Sequence, residues 1–301
     1  MSKQSIWRGV IPAITTPFAV DGKVDHAFLA KHARIMLDAG CTGIVPLGSL
    51  GEGATLSFDE KVAIMRTLVE ASDGAPVVPG IAALSTGEAV QLARAAKAAG
   101  CAGLMVLPPY VYSTDWREMG AHVSAVIAAT DLPCMIYNNP LAYKTDFSPA
   151  QLAALAADHP NVQAVKESSG DVRRIAGLKA LLGDRLEILV GVDDIIVESL
   201  QMGATGWIAG MVNAFPRESV QLFERASQPG GVENTADLYA WFLPTLRMDT
   251  VPKFVQLIKL AQEVVGLGSE RVRAPRLVLE GAEREAALRE IRAAVANRPG
   301  R

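Results

Sequence analysis

Cysteine is scarce in this chain: three among 301 residues, an odd number with no secreted-framework spacing. Cys41, Cys101 and Cys134 lie far apart, each in or beside an apolar run. They read as reduced, buried residues of a cytoplasmic protein. Histidine is scarce too. His26, His32, His122 and His159 stand at no metal-ligand spacing from Cys, Asp or Glu, and neither HExxH nor CxxC occurs, so no resident metal is expected. There is no basic tract of five or more residues, and the net charge is −3. Nucleic acid and anionic membrane are therefore not the expected partners. No stretch of about 18 uninterrupted apolar residues exists, so no membrane-spanning helix is expected. The N-terminal MSKQSIW has no apolar stretch of the kind a secretory signal carries.

What is present is core material: half of the residues are hydrophobic and a fifth are charged. The length fits one large α/β barrel with an appendage, or two ordinary domains. Three segments repeat a pattern, AGCTGIV (39–45), AGCAGLM (99–105) and MGATGWI (202–208). Each follows an amphipathic stretch and leads into an apolar run. The first Gly suits the left-handed position that ends a helix, and the second a tight entry into a buried strand. A recurring helix–Gly–strand unit implies alternating βα architecture.

About eight such units are found, which is the count of a (β/α)8 TIM barrel. The expected strands are 10–15, 43–47, 77–80, 103–107, 133–137, 162–166, 187–191 and 206–210. The expected helices are 25–38, 57–72, 86–99, 115–129, 148–158, 171–182, 193–202 and 215–227. Runs such as GLMVL (103–107) are apolar without alternation, as parallel strands covered on both faces are. The segment SQPGGVEN (227–234) breaks the rhythm. Beyond it, 235–247, 250–266 and 281–297 read as helices without strands. The expected organisation is a catalytic barrel over 1–228 and a C-terminal helical extension over 229–301, covering the barrel flank or building an oligomer interface.

Chemistry in such a barrel sits where strands end and βα loops begin. The strand ends carry Gly48-Ser49-Leu50-Gly51-Glu52, Pro108-Pro109-Tyr110, Tyr137-Asn138-Asn139-Pro140 and Lys166. Alone, Lys166 reads as a surface lysine paired with Glu167. At the mouth of an apolar barrel, poor solvation disfavours its ammonium form, and the neutral amine attacks carbonyls to give a Schiff base. The Gly-flanked 48–51 turn can present backbone N–H groups to a carboxylate. The Ser49 hydroxyl and the Tyr137 phenol can move protons beside the amine.

These motifs together resemble the dihydrodipicolinate synthase/N-acetylneuraminate lyase family of class I Schiff-base enzymes. The anchors are GVIPAITTPF (9–18), GSLGE (48–52), YNNP (137–140), VKE (165–167) and GVDD (191–194). The resemblance implies a (β/α)8 barrel with a C-terminal helical extension, assembled as a homotetramer of two tight dimers, with a 2-oxo acid substrate and no cofactor. It implies Lys166 as the imine-forming lysine and Tyr137 as the proton shuttle. Ser49 falls on the first hydroxyl of the carboxylate turn formed by Gly48, Ser49 and Leu50, and Ile208 on the pocket floor. Tyr110 falls on the tyrosine that, in many members, enters the neighbouring subunit's proton relay.

Departures from the family pattern bear on the substrate. Leu50 stands where a second Thr is usual, Pro109 where an aromatic residue often precedes the relay tyrosine, and Ala142 where the synthases carry an arginine for a second carboxylate. Lys144 is a candidate substitute cation in the following loop. The expectation is therefore a dehydratase or deaminase of a C4-hydroxylated 2-oxo acid or cyclic imine, similar to 1-pyrroline-4-hydroxy-2-carboxylate deaminases or 2-keto-3-deoxy sugar acid dehydratases. Carbon–carbon bond chemistry, as in dihydrodipicolinate synthase or a pyruvate-dependent aldolase, stands second, and a non-catalytic binding barrel third.

Overall fold

The computed structural model describes residues 5–109, 111 and 115–299. Seven parallel strands form one sheet: β1 Gly9–Pro12, β2 Gly80–Ile81, β3 Leu104–Val106, β4 Cys134–Asn138, β5 Val162–Glu167, β6 Glu187–Val190 and β7 Gly206–Ala209. Their order is β1-β7-β6-β5-β4-β3-β2. The expected strand 43–47 is reduced to two parallel bridges, Ala13 with Val45 and Ile44 with Val77. Hydrogen bonds from Val45 N to the Pro12 carbonyl (2.8 Å) and from Val78 N to the Ile44 carbonyl (2.9 Å) still close the ring. The cause is local. Pro46, Pro76 and Pro79 have no N–H to donate, so the ladder is interrupted where these segments meet.

Helices alternate with the strands: α1 His26–Asp38, α2 Phe58–Ala71, α3 Thr86–Ala98, α4 Trp116–Ala128, α5 Pro140–Tyr143, α6 Pro149–Asp158, α7 Arg173–Leu182, α8 Ile196–Gln201 and α9 Pro216–Ala226. Their starts are written in side chains. Ser57 and Ser148 each close a capping box, with Glu60 and Gln151. Asp25, Ser85 and Asp115 also cap through their side chains. The short α5 was not anticipated. Asn139 caps it by accepting from Ala142 N at 3.0 Å, and Pro140 sits in its first turn.

Two hydrophobic layers result. Inside the ring, Trp7, Ile11, Val45, Val78, Met105, Met135, Ala164, Leu189 and Ile208 fill the barrel. Outside, the opposite strand faces pack against the helices. Burial on both faces explains why the strand sequences do not alternate.

The C-terminal residues build α10 Gly231–Leu246, α11 Phe254–Val265 and α12 Gly281–Ala296. The helix expected to begin at 250 begins at Phe254, after a 3-10 turn at Arg247–Thr250. Besides the flank cover or interface expected of this layer, that turn reaches the barrel mouth, where Asp249 and Thr250 line the cavity. A buried ion pair fastens it there. Lys259 Nζ donates to Glu52 Oε1 at 2.6 Å, with both side chains almost fully buried. The same amine donates to the Arg271 carbonyl at 2.7 Å and lies 4.4 Å from the Phe18 ring centre. Thr15, His32, Asn213 and Gln262 form a second buried polar link between barrel and extension.

Candidate active site

The C-terminal ends of β4 and β5 set Tyr137 beside Lys166 in register. Their outer partners hold the strands apart from the amine. Asn138 donates to Glu167 and Asp146 and accepts from Phe147 N. Glu167 takes further bonds from Ser169 N at 2.8 Å and Arg174 Nε at 3.1 Å. Glu167 is therefore committed to Arg174 and does not pair with Lys166, contrary to the reading of that lysine in isolation.

Lys166 opens into a cavity of about 420 Å³. Gly48, Ser49, Leu50, Tyr137, Lys166 and Ile208, all expected site residues, line it. Tyr110 lies outside the described residues. The lysine is 7% exposed, and its Nζ stands 4.0 Å from the centre of the Tyr137 ring. Burial lowers its pKa to about 8, while negative charge on Asp249 or Asp193 pulls the other way. The neutral amine is thus present near pH 7.

The 48–51 turn is shaped by strained neighbours. Leu47 and Glu52 have φ of 65° and 54°, in the left-handed region that costs a residue with a Cβ. A Cβ on Gly53 would lie 2.1 Å from the Leu47 carbonyl oxygen, so only glycine lets the chain fold back on itself. The N–H groups of Ser49 and Leu50 have no backbone acceptor among the described residues. The turn suits a carboxylate.

The hydroxyl set differs from expectation. Ser49 Oγ is hydrogen-bonded to the Tyr143 hydroxyl, and the Tyr143 ring meets Tyr137 edge-on with centroids 5.7 Å apart. The Tyr137 hydroxyl accepts from Asn139 Nδ2 at 2.9 Å and also engages Ser168 and Tyr143. Burial pushes the Tyr137 phenol above its usual pKa. Ser168 donates to the Gly191 carbonyl at 3.1 Å. Sequence reasoning missed Asn139, Tyr143, Ser168, Gly191 and Asp249. The first two sit beside motifs it did read, in YNNP and in the turn after it.

Two carboxylates flank the lysine. Asp193 accepts from Trp207 Nε1 at 2.9 Å, Gly210 N at 3.0 Å and Met211 N at 2.6 Å. Asp249 comes from the 3-10 turn of the extension and lines the cavity itself. Ala142 lines the cavity at the position where an arginine would serve a second carboxylate, while Lys144 is exposed and does not line it. Among the described residues no His, Cys, Asp and Glu cluster suits a metal ion, and no helix is long and apolar enough to cross a membrane.

This arrangement defines a barrel with an amine at its mouth, a carboxylate turn opposite and hydroxyls between. The chain belongs to the dihydrodipicolinate synthetase family, whose match spans residues 6–294, and is a Schiff-base lyase of that family. It is similar to the 4-hydroxy-tetrahydrodipicolinate synthase of Methanothrix thermoacetophila, 31% identical over 95% of this chain and 96% of that protein. The enzyme of the same name from Sorangium cellulosum is 37% identical over 72% of this chain and 73% of its own. Among solved structures, dihydrodipicolinate synthase from Aquifex aeolicus aligns with a TM-score of 0.90 at 26% identity, covering 95% of this chain and 97% of that one. A prophage protein of the dihydrodipicolinic acid synthase family from E. coli K12, solved in complex with pyruvate, aligns at 0.88 with 27% identity, covering 96% of this chain and all of the other.

Proposed function

We propose that this chain forms an imine between Lys166 and C2 of a small 2-oxo acid, and uses it as an electron sink for chemistry at C3. The observation that carries the reading is the buried Lys166 amine, its pKa lowered to about 8, against the Tyr137 ring in the cavity at the barrel mouth. The substrate carboxylate docks on the Ser49 and Leu50 N–H groups. The amine adds to C2, and Tyr137 moves a proton from nitrogen to oxygen, with Tyr143 and Ser49 continuing the hydrogen-bonded chain. Loss of water leaves the protonated imine. That group acidifies the C3 protons, and their removal gives an enamine.

Two fates of the enamine have support. The names of the relatives favour its addition to an aldehyde, as in a dihydrodipicolinate synthase, over the water loss expected first from the sequence. The cavity favours water loss from a C4-hydroxylated substrate. Lys166 is the one cation lining it among the described residues, and a second buried carboxylate would lack a partner. Incubation with pyruvate and aspartate semialdehyde separates them. Robust formation of the cyclised product establishes condensation and removes water loss. No turnover there, with turnover of 1-pyrroline-4-hydroxy-2-carboxylate or a 2-keto-3-deoxy sugar acid, does the reverse. Failure of borohydride and pyruvate to label Lys166 ends the whole reading.

The resemblance further supports a homotetramer of two dimers acting in the cytoplasm without a cofactor. A sedimentation mass at the monomer value would refute the assembly.

A further inference from the structure

Imine formation leaves a positive charge in the cavity and needs a proton for the departing oxygen. Most acids nearby are already committed. Glu167 is bound by Arg174, Asn138 and Ser169 N. Glu52 is neutralised by Lys259. Asp193 is held by three N–H donors from Trp207, Gly210 and Met211. The Tyr137 phenol relays protons, but burial makes its anion costly, so it cannot end the step holding the charge.

Asp249 is different. It carries the one carboxyl among the described residues that line the cavity with Lys166. The Arg247–Thr250 turn brings it in from the extension. Its Oδ1 lies 2.4 Å from where a Cβ on Gly210 would stand, so the absence of a side chain at the end of β7 makes its seat. The Asp193 backbone N–H is directed at it, and its main charged neighbours are Lys166, Asp193 and Asp194. Arg247, in the same turn, faces Asp194 at 3.9 Å.

We propose that Asp249 is the acid that completes imine formation at Lys166 and then serves as the counter-ion of the imine. The inference rests on the imine reading above. Once the carbinolamine stands on Lys166, its C2–O bond breaks and the oxygen leaves as water with the proton of the Asp249 carboxyl. The nitrogen lone pair forms the C=N bond. The products are a protonated imine, a carboxylate and one water, so atoms and charge balance. The starting state has the carboxyl protonated, and its environment holds it that way: burial and the Asp193 charge push its pKa well up, against the attraction of Lys166. The C-terminal extension thereby supplies a group to the reaction.

The test is the rate of borohydride-trapped adduct on Lys166 with pyruvate, followed by mass spectrometry from pH 5.5 to 9.5, for the wild type, Asp249→Asn and Asp249→Glu. Asn keeps the shape and loses the acid. Its rate should fall by roughly 10²-fold at pH 7, the low end of what a positioned proton donor contributes, and its pH profile should change shape. Asp249→Glu should recover part of the rate. A rate within threefold of the wild type for Asp249→Asn overturns the inference, and so does a loss that merely scales an unchanged pH profile. If the wild type itself gains no adduct, it is the imine reading that has failed.

Discussion

Replacing Gly191 by alanine should disable the lysine without touching it. A Cβ there would stand 2.2 Å from both Lys166 Cε and Ser168 Oγ, and 3.0 Å from Lys166 Cγ, where ordinary contact begins at 3.4 Å. Something must move by more than an ångström. The lysine can yield only by swinging into the cavity, away from its place 4.0 Å from the Tyr137 ring centre. Ser168 moves only by giving up the Gly191 carbonyl. A misplacement of about 1 Å at the reacting atom costs on the order of 10²-fold. Overpacking should cost stability about 1–3 kcal/mol, too little to unfold the chain. The assay is the single-turnover rate of borohydride-trapped pyruvate adduct, paired with urea unfolding. Gly177→Ala is the control, since a Cβ there meets nothing within 4 Å. A Gly191→Ala protein that forms adduct within threefold of the wild-type rate would refute the packing argument.

Lys166→Ala should abolish turnover and pyruvate labelling while leaving the urea midpoint near that of the wild type. Tyr137→Phe should lower the rate by roughly 10²–10⁴, and Tyr143→Phe should lower it in the same assay if the chain through Ser49 carries protons. Lys259→Met removes the main cation from the buried Glu52 carboxylate, leaving it Arg273 N and Arg276 at 3.9 Å, and should cost about 3 kcal/mol in urea unfolding, while Glu52→Gln combined with Lys259→Met should recover part of that loss. His32 is held neutral by burial, its pKa lowered to about 4, so its contribution is present above pH 6.5 and is lost as pH falls towards 4. The 2.5-unit difference corresponds to about 3 kcal/mol, read as a steeper drop in unfolding free energy between pH 7 and 5 for the wild type than for His32→Gln.

The barrel was legible because its information is local. Gly40, Gly100 and Gly203, all at positive φ, end helices where the repeat placed them, and Ser57 caps where its spacing with Glu60 said it would. Ile208 was expected from the family resemblance alone; Lys166, Tyr137, Ser49 and Leu50 were legible for a related reason. Each sits at or just past a strand end, and the closed ring brings strand ends to one rim. The strand 43–47 was legible as an apolar run but not in its hydrogen bonding, which Pro46 and its proline neighbours across the barrel interrupt. Tyr143 was missed because the four-residue α5 that carries it is too short to leave a periodic signal.

Asp249 was beyond reach for a stronger reason. It falls between the expected helices 235–247 and 250–266, and nothing in their pattern tells whether that join lies on the barrel wall or crosses its mouth. That is decided by a long-range event, the Lys259–Glu52 pair, whose members are individually unremarkable charges in sequence. Glu52 follows directly on the carboxylate turn, held in a left-handed conformation by the same fold-back that shapes it. One ion pair therefore joins the turn that would hold the substrate to the extension that brings Asp249. Weakening it should disturb substrate binding and the chemistry at the imine together. In Lys259→Met, KM for the 2-oxo acid should rise and the rate of Schiff-base trapping at saturation should fall. A variant that lost stability but kept both parameters would show that the extension merely fastens the barrel and does not tune the site.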